Sequence, residues 1–137
     1  MREILFRGKR IDNGEWVQGF YIHHRNVAHY IIDIQHGGYE DIDGGFFVPR
    51  WYAVNPNTIG QYTGLTDKNG KRIFEGDIVD ILTENEEVGI VAYDDGGFLV
   101  NADGFCVDFH SNINGTDLEV VGNIHDNPEL LKGENNV

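Results

Sequence analysis

A single cysteine, Cys106, in 137 residues excludes a disulfide within the chain and makes no demand on an oxidising compartment. Serine is equally scarce: Ser111 is the only one, and no G-x-S-x-G surrounds it, so the usual serine-nucleophile signature is missing. No apolar run reaches the roughly 18 residues of a membrane span. Met1 to Arg10 (MREILFRGKR) lacks the apolar core of a signal peptide, so a soluble, cytoplasmic protein is expected. Positive charge is also missing where it matters. Between Ile73 and Leu131 there is no lysine or arginine. Residues 1–72 hold 9 Lys and Arg against 8 acids, whereas residues 73–137 hold Lys132 alone against 15, giving +1 and −14 within a formal charge of −13. Such a field repels phosphates, whose counterions only lysine and arginine replace, so direct nucleic-acid binding is not expected. It attracts a basic protein surface or a hard cation, or simply keeps the chain soluble.

What is abundant is glycine, 18 residues, beside 12% aromatics and only 3 prolines. That mixture points to short strands joined by tight turns. With 40% hydrophobic and 24% charged residues the chain has ordinary globular composition. Its length suits one domain, or two subdomains sharing a core, and buries about two thirds of the unfolded surface.

The first segment reads as a β-hairpin. Ile4 and Phe6 alternate with charged neighbours, Asp12-Asn13-Gly14 supplies the turn, and Trp16 to Ile22 returns as a strand. Alternation places Trp16, Gln18, Phe20 and Ile22 on one face and Val17, Gly19 and Tyr21 on the other. Both faces are partly apolar, which predicts cover on both sides. Ala28 to Ile34 is a second strand, Gln35 to Gly45 a polar, glycine-rich loop or loose hairpin tip, and Phe46 to Val54 an apolar stretch whose ladder Pro49 interrupts. Asn55-Pro56-Asn57 turns the chain and opens a short helical turn.

Beyond Gly64 the rhythm is regular. Asp77 to Leu82, Val88 to Tyr93, Phe98 to Asn101, Phe105 to Phe109 and Leu118 to Ile124 are strand-like, separated by polar and glycine turns. Five short strands this close make a small SH3-like β-barrel the economical arrangement, since closure removes unpaired edges. Asn127-Pro128-Glu129-Leu130-Leu131 reads as a short C-terminal helix, with Asn127 as N-cap and Pro128 at the first helical position. The expected fold is mainly β: an N-terminal β subdomain over 1–65, packed on an SH3-like barrel subdomain with its short helix over 66–137.

Three stretches carry a family resemblance. Phe6-Arg7-Gly8 with Gly14-Glu15-Trp16-Val17-Gln18-Gly19, the block from Thr58 to Val79 (TIGQYTGLTDKNGKRIFEGDIV), and Gly122 to Leu131 (GNIHDNPELL) are similar, in this order, to YopX-family proteins. Residues 22–54 carry no signature of that family. The resemblance implies an origin in phages, prophages and related mobile elements of bacteria, a β-rich fold and a tendency toward assembly. It supplies no catalytic residues. Read physically, the middle block also favours structure: Gly76 turns the chain before a strand and Asp77 accepts backbone amides in an Asx-type turn.

Tests of specific chemistries return little. Cys106 and His110 are four apart on a strand, about 13 Å at ~3.3 Å per residue, too far for a thiolate–imidazole pair, so Cys106 reads as a buried, inert cysteine. Gly64 to Lys71 (GLTDKNGK) has five residues between its glycines and Arg72 where a phosphate loop needs Ser or Thr, and no dinucleotide fingerprint is present. His23, His24, His29 and His36, with Asp33, are concentrated in one segment, but no paired zinc motif accompanies them. Asp41-Ile42-Asp43-Gly44 resembles the start of a calcium loop without its later ligands. His125-Asp126 is explained by helix capping as well as by acid–base work. Carboxylates are abundant, and no pair stands out as a glycosidase dyad. Trp51, Tyr52 and Tyr62 suit either a peptide groove or a buried junction within the core, the latter being preferred.

No catalytic, cofactor-binding or metal residue is therefore assigned. The expected function is a non-enzymatic protein-interaction or assembly module of a phage or prophage, forming a homo-oligomer or binding a host or phage protein in the bacterial cytosol. The alternative is an acidic DNA mimic that inhibits a host nucleic-acid-binding protein. An undetected hydrolase or nuclease is the third reading. Acids at turns, Glu84, Glu86 and Glu87 against Asp94 and Asp95, with Asp103 and Asp108, are expected to separate to the two ends of the sheet.

Overall fold

The computed structural model describes residues 4–25, 27–40, 46–82, 87–94, 96–102, 105–109 and 114–132, with backbone alone for 34–40, 46–49, 105 and 132. The chain divides into two compact units, Met1–Gln61 and Tyr62–Val137. The architecture is mainly β, in two antiparallel sheets with one short helix among the described residues.

In the first unit, β1 (Phe6–Lys9) and β2 (Trp16–His24) form the expected hairpin, Phe6 opposite Gly19 and Lys9 opposite Trp16. Gly14, at φ 73°, takes the left-handed turn conformation. β3 (Ala28–Glu40) pairs with β2, and β4 (Phe46–Ala53) with β3. The sequence reading ends β3 at Ile34 and makes 35–45 a loop or loose hairpin tip; β3 instead runs to Glu40, its pairing with β4 resuming at Gly38 opposite Val48 after a register shift, and 41–45 lie outside the described residues. Gly37-Gly38 and Pro49 fall around this shift, where a bulge relieves proline of its missing donor. The strand β5 (Gly60–Thr66) follows a 3₁₀ turn, Pro56–Thr58, and its first residues pair with β1. Gly19 is required by close approach: any side chain there overlaps the carbonyl oxygen of Ile32 on β3.

The second unit contains the later residues of β5, paired with β6 (Arg72–Phe74), and a five-stranded sheet. Strands β7 (Asp77–Ile81), β8 (Glu87–Asp94), β9 (Gly97–Ala102) and β10 (Phe105–Asp108) are successive antiparallel neighbours, and β11 (Leu118–Asn123) returns beside β7. Ile73, Val79, Ile81, Val91, Phe98, Val100, Phe109 and Leu118 pack there as a buried cluster. One sheet spanning Asp77 to Ile124 is as expected, but a closed barrel is not found: β10 and β11 are its edges. The outer edge of β11 is taken by the turn after β5. Lys68 N–H donates to the Leu118 carbonyl (3.0 Å) and Val120 N–H to Asp67 Oδ2 (2.9 Å), which satisfies the edge without β10.

The helix α1 (Glu129–Lys132) ends the described chain. Asn127 is not its side-chain cap. Its Oδ1 turns back and accepts the Asn123 N–H (3.2 Å), where glycine at 122 leaves the room that a Cβ would take.

Candidate interaction surface

The residue blocks that single this chain out prove to be occupied with backbone. Asp67 Oδ1 accepts the amides of Asn69 and Lys71, and its Oδ2 that of Val120, all at 2.9 Å. Burial opposes its charge, but the amides of Val120, Lys71 and Asn69, helped by the Lys71 cation, hold the carboxyl below its ordinary value. Asp77, fully buried, accepts the Phe74 N–H at 2.7 Å, the Asx-type contact expected from FEGD. Gly76, at φ 94°, donates to the Val91 carbonyl (2.8 Å) and accepts from Ile124 N–H (2.9 Å). Thr63 Oγ1 donates to the Ile73 carbonyl (2.9 Å).

The closing motif behaves in the same way. Asn123 Oδ1 accepts the amides of both His125 and Asp126 at 2.9 Å, and its Nδ2 donates to Asp126 Oδ2 (3.2 Å). The His125-Asp126 pair thus belongs to a turn.

The remaining candidates separate on inspection. Cys106, expected to be buried, is instead exposed, and its Sγ donates to Asn101 Oδ1 across the hairpin (2.7 Å); His110 and Ser111 lie outside the described residues, as do Asp41 to Gly44. His23 and His29 are cross-strand partners, while His24 points to the opposite face; the side chain of His36 is outside the description. Among the described residues no group of three or more His, Cys, Asp or Glu is arranged to hold a metal ion. Trp51 and Tyr52, being neighbours on one strand, point to opposite faces. Tyr62 is buried in the second unit against Phe74 (5.5 Å), with Arg72 over its ring. Trp51 and Tyr52 therefore share no groove, and Trp51, 56% exposed, is not the core residue expected.

The register of the first unit's sheet defines two faces. On one, Phe6, Tyr21, His23 and His29 form a series of rings 5.5–6.0 Å apart, and the Tyr21 hydroxyl lies 2.7 Å from His29 Nδ1. Burial raises the Tyr21 phenol above its ordinary value. Ile31, fully buried, lies beside them, and Arg10 covers Tyr52. On this face Ile31 is buried, Phe6, Tyr21 and His29 are half-buried, and His23 is exposed.

The other face is open. Phe20 is opposite Ile32, which is opposite Trp51; in the next row Ile22 is opposite Tyr30. Trp51 is 56% exposed, Phe20 47% and Ile22 41%, and Trp51 meets Tyr30 edge-on at 6.0 Å. Arg7 and Lys9 lie against the ring of half-buried Trp16 on the same face. None of the described strand residues sharing it is Asp or Glu. Alternation predicted cover on both sides of this hairpin. The second side is covered only in part: Arg7 and Ile32 are buried there, whereas Phe20, Ile22 and Trp51 are exposed. Exposed tryptophan and phenylalanine grouped on a flat sheet are the composition of an interface centre rather than of an ordinary solvated face.

The family model described as YopX protein matches residues 5–132. A solved structure, the crystal structure of protein EF1440 from Enterococcus faecalis, is similar at a TM-score of 0.63 and 27% identity, covering 96% of this chain and 99% of that one. No curated protein matches.

Proposed function

The chain belongs to the YopX family, and on that footing we propose that it is a non-enzymatic protein-interaction or assembly module, encoded by a phage or prophage and acting in the bacterial cytosol. The observation that carries this reading is the open aromatic face of the first unit, where Trp51, Phe20 and Ile22 stand in solvent without an acid among them. Leaving such groups in water forgoes about 25 cal/mol for each Å² of apolar surface, which a partner recovers. The cytosolic assignment accords with the absence, among the described residues, of any helix long and apolar enough to cross a membrane.

The family-defining blocks support the same reading from the other side. Asp67, Asp77 and Asn123 are engaged with backbone amides, leaving them little to offer a substrate. Of the acids on which a DNA mimic would depend, Glu84, Glu86, Asp95 and Asp103 lie outside the described residues. Glu87 and Asp94 occupy opposite ends of β8 and cannot form one continuous stripe along it.

Affinity capture from bacterial host lysate, with mass spectrometry at low and high salt, tests the proposal. The expected result is a defined protein, either another copy or a heterologous partner, retained by the wild-type chain and released by Trp51→Glu. A bait that retains no protein, or one that retains its partner unchanged by Trp51→Glu and Phe20→Glu together, removes the basis of the proposal.

A further inference from the structure

We infer that His23 and His29 form a chelating pair for one divalent transition-metal ion of the imidazole-preferring kind, with Tyr21 positioning His29. The pair lies on the face of the first unit's sheet opposite Trp51, so the inference goes beyond the interaction reading and does not rest on it. Register supplies the pair. β2 and β3 are matched without a shift from Phe20 opposite Ile32 to His24 opposite Ala28, which sets His23 directly against His29. Side chains so opposed stand about 4.5–5.5 Å apart at Cβ and meet on one face. The two ring centres are 6.0 Å apart. One ion about 2.0–2.1 Å from a nitrogen of each ring, each nitrogen about 1 Å from its ring centre, spans centres up to ~6.3 Å apart. The pair is thus within the reach of a single ion. The rings lie 22° from parallel, so chelation needs a turn of the exposed ring, His23, while half-buried His29 is held.

Tyr21 supplies the orientation. Its hydroxyl lies 2.7 Å from His29 Nδ1. Burial raises this phenol above its ordinary value, so it stays protonated and uncharged near neutral pH. With Nδ1–H donating to the Tyr21 oxygen, the lone pair of His29 is on Nε2, the tautomer a metal takes. A hydrogen-bond partner on the far nitrogen is the usual support of a ligating histidine. Among the described residues no group of three or more His, Cys, Asp or Glu is arranged to hold an ion, so water completes the coordination. Affinity on the order of micromolar follows, below that of a closed structural site. Imidazole selects copper, nickel and zinc over calcium and magnesium, which take oxygen. Bound there, the ion staples β2 to β3, the two strands whose other face carries Phe20, Ile22 and Ile32.

Isothermal titration of the untagged full chain with copper(II), nickel(II) and zinc(II) chlorides, in excess magnesium to occupy the carboxylates, is the test. The expected result is one ion per chain, bound most tightly for copper. It should raise the melting temperature, since a ligand of the folded state stabilises that state. His23→Ala and His29→Ala should each weaken binding at least ~100-fold and abolish the rise, whereas Tyr21→Phe should weaken it about 10-fold. His24→Ala, on the opposite face, should change neither. Electron paramagnetic resonance of the copper form should show two imidazole nitrogens in the wild type and in Tyr21→Phe, and fewer in either histidine variant. Circular dichroism verifies the fold of each variant, and His29→Gln replaces His29→Ala if the alanine chain does not fold. No binding of copper at about 1 mM overturns the inference, well above the micromolar range expected. Binding that survives both histidine variants also overturns it, by placing the ion on carboxylates. An unchanged affinity in Tyr21→Phe overturns the positioning role. Each of these failures leaves the interaction reading standing, because that reading rests on the other face.

Discussion

The two units solve the problem of a sheet's faces in different ways. The second unit gathers Ile73, Val79, Val91, Phe98, Val100 and Leu118 into a common interior, and fastens it with side-chain hydrogen bonds from Asp67, Thr63 and Asp77 to backbone. It is also where the acids are, at −12 over residues 62–137. The first unit is nearly neutral and buries Ile31 and Val54 on one side while leaving Phe20, Ile22 and Trp51 in water. The second unit keeps most of its apolar surface inside, with Leu82 and Tyr93 among the exceptions; the first leaves Phe20, Ile22 and Trp51 together on one face. On the proposed function, stability and recognition fall to different stretches of sequence, and substitutions should tell them apart.

The largest effect is expected in the second unit's interior. Leu118 is fully buried on β11, facing Ile81 on β7. Leu118→Ala removes buried methyl groups and leaves a cavity, at a cost of about 2–5 kcal/mol in urea or thermal unfolding. A loss below about 1 kcal/mol would mean that this unit is not the stable half, and the comparison would fail.

Asp67 gives the next effect and a signature in pH. In Asp67→Asn the retained oxygen can still accept from Asn69 and Lys71, but the new amide group presents a donor to the Val120 N–H. A buried amide left without an acceptor costs about 1–3 kcal/mol. Because the folded carboxyl has a lowered pKa, the stabilisation is complete above the unfolded value and is lost as pH falls through the folded one. Unfolding free energy of the wild type should therefore decline below about pH 4 more steeply than that of Asp67→Asn. Parallel acid limbs would show that the three amides do not favour the ionised form. In the first unit, Tyr21→Phe removes the hydroxyl bonded to His29 Nδ1 and should cost about 0.5–1.5 kcal/mol, measured by the same denaturation.

How much of this was readable in the residues follows the same division. The turn at Gly14, the strands from Asp77 to Ile124 and the Asp77 contact were legible because each depends on local alternation, glycine placement or a short-range hydrogen bond. Membership in the YopX family was legible because its blocks are dense in such local devices. Closure of the sheet was not, since it turns on whether the edge of β11 meets β10 or the side chain of Asp67, 53 residues away in sequence from Val120. Asn127 was read as a cap because its neighbours suit one, whereas its Oδ1 answers an amide on β11. The open face was half legible. Alternation put Trp16, Phe20 and Ile22 together, but only the register with Ile32 and Trp51 shows them as one surface, and only their exposure shows that the chain covers it in part.

The smallest effect on stability should come from the most prominent residue. Trp51 is among the largest side chains of the first unit, yet more than half of its surface is in water, and its ring meets Tyr30 edge-on at 6.0 Å. Truncation to alanine removes contacts from one side of the ring only and opens no closed cavity, because solvent fills the space. The edge-on pair contributes about 0.5–1.5 kcal/mol at most, and β4, an edge strand in the sheet order, keeps its backbone ladder to β3. Trp51→Ala should thus change the unfolding free energy by about 0.5 kcal/mol when measured on the chain alone in dilute solution. With its captured partner in excess the same substitution should lower the melting temperature more, since the wild type then gains the free energy of binding and the variant does not. A tryptophan that matters only when a partner is present is serving that partner; one whose removal costs the chain alone several kcal/mol is serving the fold, and the contrast between the two units would then disappear.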